Sequence, residues 1–216
     1  THINISHDKV IKIPDFLSDE LVATNFLRAM TVEMLINRIT LVDSSKTILV
    51  TAASGGVGRL LCQWATAMGV KVIGSVGSQE KIEETKLNGC IETFVSSDKN
   101  FSEKVLDITN GKGVDIVFDS VGNDTFESSL SSLAHCGYLI NFGQSSGPVH
   151  PVLMSTLAEK SLSISRPILF HYFGNRKNYE NMAASVFKAF EDEIIKVSEF
   201  LPFDLKDASK AHDTLE

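Results

Sequence analysis

The spacing of apolar residues changes period several times along the chain. From about residue 48 to 169, short β-branched runs alternate with segments whose apolar residues recur every three or four positions, the pattern of βαβ units feeding a parallel sheet. The runs 47–51, 71–76, 114–119, 138–142 and 162–166 read as strands, with a weaker one at 92–95. Between them helices are expected over 57–68, 79–88, 102–109 and 124–133, and Gly69 and Gly89 stand where a left-handed C-terminal cap is wanted. Upstream, Ser18 can cap a helix with Asp19 and Glu20 in its first turn, running to about Asn37, with Leu21, Val22, Phe26, Met30, Met34 and Leu35 on its apolar stripe. Downstream, Tyr179, Met182, Val186, Phe190 and Ile194 repeat that spacing in a second long amphipathic helix. Both helices should pack on the sheet. Residues 2–12 read as a strand leading to Pro14, and 204–216 as helix-like.

Composition narrows the class without naming it. The chain has 216 residues, 43% hydrophobic and 22% charged, the make-up of an ordinary globular protein with one main domain and appended segments. A formal net charge of −7 and the lack of any basic run argue against nucleic-acid binding, which needs clustered Lys and Arg. No run approaches the roughly 18 apolar residues of a membrane span, and the N-terminus carries no export signal, so neither a membrane nor export is expected. Cys62, Cys90 and Cys136 are widely separated with no CxxC or Cys/His pairing, so no disulfide framework or zinc site is expected and a reducing, cytoplasmic setting fits.

One loop carries chemistry. Strand residues Ile48–Thr51 run into Ala52-Ala53-Ser54-Gly55-Gly56-Val57-Gly58 and then into a helix bearing Leu60, Leu61, Trp64 and Ala65. Gly55 lets the backbone approach a pyrophosphate, Gly58 lets helix and strand pack closely, and the helix N-terminus offers unpaired N–H groups at a positive dipole end. Ala53 holds the place of the first glycine, so the match is A-x-G-x-x-G. A tight turn that needs glycine for geometry alone gives the same pattern; the strand before, the helix after and the alternation downstream favour the dinucleotide reading. The expected fold is therefore α/β, a Rossmann doubly wound parallel six-stranded sheet with helices on both faces.

The second strand indicates which dinucleotide. A site for NAD places an acid about 20 positions after the loop to accept the ribose 2′-hydroxyl. Here the strand ends Ile73-Gly74-Ser75-Val76-Gly77-Ser78 with no carboxylate, and Ser78 and Lys81 follow within one turn, where a hydroxyl and an ammonium could hold a 2′-phosphate. NADP(H) is expected. Ser78 also reads as a helix N-cap and Lys81 as a solvated helix charge, and Glu80 between them weakens the electrostatic case.

Several stretches taken together resemble a known family. Ala52–Gly58, Cys62-Gln63-Trp64-Ala65, Ile73–Ser78, Asp119-Ser120-Val121-Gly122 and Phe142-Gly143-Gln144-Ser145-Ser146-Gly147 are similar to the NADPH:quinone oxidoreductases, the zeta-crystallin-like, zinc-independent branch of the medium-chain dehydrogenase/reductase superfamily. Phe26–Thr31, Arg166-Pro167 and the closing Leu201-Pro202-Phe203, Asp207-Ala208 and Ala211-His212 extend the resemblance over nearly the whole chain. It implies that Gly56 and Val57 contact the pyrophosphate, that Gly77, Ser78 and Lys81 surround the 2′-phosphate, and that Ser120 lies beside the adenosine end. It also implies that Phe142, Gly143 and Ser145 line the nicotinamide half, that Pro167, Ile168 and Leu169 approach its carboxamide, and that Thr31 stands near the ring. Ser96 and Met34 replace aromatic contacts of some relatives. His135, His150, His171 and His212 are scattered singly, so no proton-transfer role is assigned, and no catalytic residue is named.

The resemblance further implies hydride transfer from NADPH to quinones or similar electron-poor acceptors, without a metal. An enoyl or alkenal reductase of the same superfamily, or a non-catalytic NADPH-binding or crystallin-like module, is the alternative. It places a remnant of a GroES-like domain at 1–16, the dinucleotide-binding domain at 17–197 and a segment returning toward the missing domain at 198–216. A chain so trimmed is expected to bind NADPH but to reduce quinones poorly. The last strand, 162–166, would form an exposed edge, and a homodimer paired there is expected.

Overall fold

A computed structural model describes residues 2–97, 101–197 and 200–215, so Thr1 and Glu216, the outer limits of the two expected flanks, lie outside the described residues. Strands β1 (Thr47–Val50), β2 (Lys71–Val76), β3 (Glu92–Val95), β4 (Val114–Asp119), β5 (Leu133–Asn141) and β6 (Ser163–Ser165) form one sheet in the order β3-β2-β1-β4-β5-β6, with every pair parallel. This is the doubly wound order expected from the sequence.

The strands are apolar on both sides because both sides are covered. Ile48, Val50, Val72, Val76, Ile116, Phe118 and Ile140 point into a core shared with α1 (Asp19–Met34), α2 (Gly56–Ala67) and α8 (Arg176–Glu191). The intervening Leu49, Ile73, Val117 and Leu139 point the other way, onto α4 (Phe101–Ile108) and α5 (Phe126–Ser131). The period of two along each strand thus sorts one hydrophobic run into two cores.

Helix ends follow local chemistry. Ser18 Oγ accepts from the Leu21 amide at 3.2 Å, and Asn175 Oδ1 from Asn178 at 2.9 Å, capping α1 and α8. Gly69 (φ 80°) and Gly89 (φ 96°) take the left-handed conformation expected of them, the second where a β-carbon would fall 2.4 Å from Thr66 Oγ1. The first long helix passes after Met34 into a widened π turn, Leu35–Ile39, beneath which fully buried Glu33 takes a forked ion pair from Arg38. A charge can be buried there because its partner comes with it.

Four expectations change. Residues 2–12 do not form a strand; the segment is exposed, with a 3₁₀ turn at His7–Lys9, and is tied down by Arg176 donating to the carbonyls of His7 and Val10. An alternating pattern becomes a strand only where a neighbour offers a ladder. The helix expected at 79–88 is a 3₁₀ turn, Gln79–Lys81, followed by α3 (Ile82–Leu87). Strand β5 begins at Leu133, five residues early, with an irregularity that pairs Val114 with Leu133 but Ile116 with Tyr138, and Cys136 takes φ 60°. Two short helices were not foreseen, α6 (Met154–Ala158) and α7 (Leu169–Phe173). Near the C-terminal end of the described residues, α9 (Ala208–Leu215) matches the helix-like pattern. The fold also joins two cysteines the sequence keeps apart: buried Cys62 and Cys90 bring their Sγ atoms to 3.5 Å as free thiols.

Candidate cofactor-binding site

In a doubly wound sheet the ligand crevice lies outside the carboxyl ends of the strands where the winding reverses, here between β1 and β4. The loop leaving β1 is sewn across that point. The Thr51 amide donates to the Phe118 carbonyl at 3.0 Å and the Ala53 amide to Ser75 at 2.9 Å, linking it to β4 and β2. Ala52 accepts φ 48°, and its carbonyl takes the Gly55 amide at 2.8 Å. A β-carbon on Gly58 would stand 2.2 Å from that same carbonyl, so only glycine lets α2 lie this close to the loop.

Gly55 caps α2 without a side chain to offer. The Arg59 amide reaches back to the Gly55 carbonyl at 3.0 Å, so the amides of Gly56, Val57 and Gly58 precede the helix's own ladder. They sit at the positive end of a 12-residue helix aimed at the crevice. Such an end takes an anion.

A fully buried carboxyl group the sequence did not single out holds the crevice floor. Asp119 Oδ1 accepts from Thr51 Oγ1 and Thr125 Oγ1 at 2.9 Å each and from the Val121 and Gly122 amides at 2.9 and 3.2 Å. Thr51 Oγ1 in turn accepts the Ser120 amide at 3.0 Å, and Asn141 Nδ2 reaches Asp119 Oδ2 at 3.5 Å. The ends of β1, β4 and β5 are therefore fixed to one side chain. An acid between strand end and loop, with threonines at both 51 and 125, was the available signal.

Most of the expected site residues lie around this crevice. The Phe142 and Gly143 amides donate to the Asp119 carbonyl at 2.8 and 3.4 Å, and the Ser145 amide to Ser120 at 3.3 Å. A β-carbon at Gly143 would come within 2.7 Å of the Ser120 carbonyl, so this glycine is required for loop-to-loop packing. Ser145 is exposed and Phe142 half-buried against the core. Past β6, Pro167 and Leu169 are buried while Ile168 is exposed. Thr31, partly buried on α1, donates to the Leu27 carbonyl at 3.0 Å. At the end of β2, Gly77 faces open space: a β-carbon there would touch nothing within 4 Å.

One reading is corrected. Ser78 occupies an N-cap position but caps nothing; its hydroxyl donates to Glu80 Oε1 at 3.1 Å because the following turn is 3₁₀ and too tight to present an amide to it. Met34 is buried in the core, packed there by the α1 stripe. Cys62 and Cys90, far apart in the sequence, form a buried pair of free thiols, and the hydrogen bond between them together with burial pushes the Cys62 thiol up. Ser96 ends β3 with its hydroxyl and amide both on the Val76 carbonyl, so it closes the strand where an aromatic would project. Hollows of about 610 and 500 Å³ lie elsewhere, beside Phe170 and Phe173 and beside the C-terminal segment, and neither is lined by the glycine loop. The loop's own geometry marks the site more firmly than their size. Among the described residues no three His, Cys, Asp or Glu side chains converge as a metal site.

A strand, a glycine turn and an uncapped helix end at the switch point of a 3-2-1-4-5-6 sheet define a dinucleotide-binding domain. A family model described as zinc-binding dehydrogenase matches residues 56–188. The chain belongs to that family. It is 38% identical over 216 residues to a quinone oxidoreductase of Salmonella typhimurium, covering 99% of this chain and 66% of the relative. A 2-haloacrylate reductase of Burkholderia is 36% identical, over 95% of this chain and 63% of the relative. Among solved structures, the Escherichia coli quinone oxidoreductase complexed with NADPH superposes with a TM-score of 0.89 at 36% identity, covering 96% of this chain and 65% of that one. The chain thus spans somewhat less than two thirds of the relatives it matches, and the resemblance drawn from its motifs is to these quinone oxidoreductases.

Proposed function

We propose that this chain is the NADP(H)-holding part of an oxidoreductase that passes hydride to a quinone or a similarly electron-poor acceptor. The observation that carries the reading is the set of free amides at Gly56–Gly58, set at the switch point in a chain whose relatives include an enzyme solved with NADPH. The residues fit the group: Gly55, Gly56, Val57 and Gly58 would hold the pyrophosphate, and Gly77, with open space above it, would admit the adenosine ribose beside Ser78 and Lys81. Ser120 would lie beside the adenosine end, and Phe142, Gly143 and Ser145 would flank the nicotinamide half, with Thr31 and Pro167–Leu169 closing it. When bound, the nicotinamide supplies the hydride. The chain's own share is to fix that ring's place, through loops locked to Asp119, and to leave no acid at the end of β2 to reject a 2′-phosphate. The haloacrylate reductase among the relatives favours activated alkenes as a second acceptor class.

The region 17–197 is read as the cofactor domain, and 1–16 and 198–216 as segments that meet a further domain. Among the described residues no helix is long and apolar enough to cross a membrane, and free Cys62 and Cys90 at van der Waals range suit a reducing cytosol. Calorimetry with NADPH and NADH tests the reading: NADPH binds, and more tightly than NADH. No heat with either would contradict it.

A further inference from the structure

Arg28 on α1 stands over the start of α2. A β-carbon built on Gly56 would lie 2.7 Å from Arg28 Nε, 2.9 Å from Cζ and 3.1 Å from Cδ, so the guanidinium occupies the space a side chain at 56 would take. That places a permanent positive charge against the positive end of a 12-residue helix, beside amides that precede its ladder. Among the described residues nothing compensates it: Arg28 makes no hydrogen bond or ion pair there, whereas Arg59, on α2, has Glu84 at 3.8 Å. A cation facing the positive end of a helix is unfavourable, and an anion between them reverses the sign. Arg28 is half-exposed, so such an anion has access to it.

We propose that Arg28 is a positioning residue for the dinucleotide's pyrophosphate, closing over it from α1 while the amides of Gly56 and Val57 hold it from below. The proposal rests on the cofactor reading above. It gives Gly56 a reason distinct from that of Gly58: glycine at 56 makes room for the arginine, and glycine at 58 makes room for the loop at Ala52 and Ala53. It also places the pyrophosphate clamp one helical turn from Thr31, on the same helix that would flank the nicotinamide.

The test compares two probes by calorimetry, NADP⁺, which carries a pyrophosphate, and adenosine 2′-monophosphate, which does not. In the full chain, Arg28→Ala should weaken NADP⁺ about tenfold, the loss of one charge-assisted hydrogen-bonding group. Binding of adenosine 2′-monophosphate should be unchanged, and Arg28→Lys should recover part of the loss. The thermal midpoint of the unliganded Arg28→Ala chain should be equal to or above that of the parent, because a repulsion has been removed. Unchanged NADP⁺ affinity, an equal loss for both probes, or a lowered midpoint would each overturn the proposal. A parent chain that binds neither probe would overturn the cofactor reading itself, and the proposal with it.

Discussion

Asp119 shows how much one side chain can set. It receives four hydrogen bonds on one oxygen, from two hydroxyls and two amides, and is completely buried. Asp119→Ala strands all four donors and should cost roughly 3–5 kcal/mol, read from urea unfolding. Asp119→Asn keeps Oδ1 as acceptor and turns Nδ2 toward Asn141, whose Oδ1 is buried without a partner. That substitution should cost only about 1 kcal/mol; equal losses in both variants would refute the geometry. At the other end of the crevice, Glu80 accepts from Ser78, where a 2′-phosphate is expected. Glu80→Gln removes an exposed like charge and should tighten NADPH about two- to fivefold at low salt, leaving NADH unchanged. A shift shared by both cofactors would place the 2′-phosphate elsewhere. Neither effect could be read from the sequence alone: Glu80 was visible, but its hydrogen bond to Ser78 depends on a 3₁₀ turn where periodicity promised a regular helix.

At the scale of elements, legibility followed the strength of the local signal. Each of the six strands lies where its β-branched run predicts, and the caps at Ser18, Gly69 and Gly89 take their expected roles, because each rests on contacts within a few residues. What failed depended on distant partners. The strand pattern of residues 2–12 has no free ladder to join, and the early start of β5 depends on pairing Leu133 with Val114. Helices α6 and α7 are five residues each, too short for a period to register. The site was legible where glycine geometry fixes it, at residues 55–58, and illegible where side chains from separate elements meet, as at Asp119, Arg28 and the Cys62–Cys90 pair. Strand β6 is an edge of the sheet only three residues long. An unpaired sheet edge is a template for pairing, and the homodimer expected there predicts twice the chain mass in light scattering. A monomer at high concentration would exclude this pairing.

For the whole molecule, two cores on opposite faces of one sheet make a rigid frame, and the crevice is what the frame leaves open at its carboxyl edge. Helix α2 spans from crevice to core: its first turn points unpaired amides outward while Leu60, Leu61, Trp64 and Ala65 are buried behind them. Stability and binding are therefore carried by different turns of one helix, and the cofactor can be held without disturbing the packing. The most direct measurement is a backbone amide NMR titration with NADPH. Binding at the switch point predicts that the largest shifts fall on Gly56, Val57, Gly58, Gly77, Ser78, Phe142, Gly143 and Ser145, with β6 and the far ends of the strands unmoved. No shifts, or shifts confined to the hollow beside Phe170 and Phe173, would contradict it.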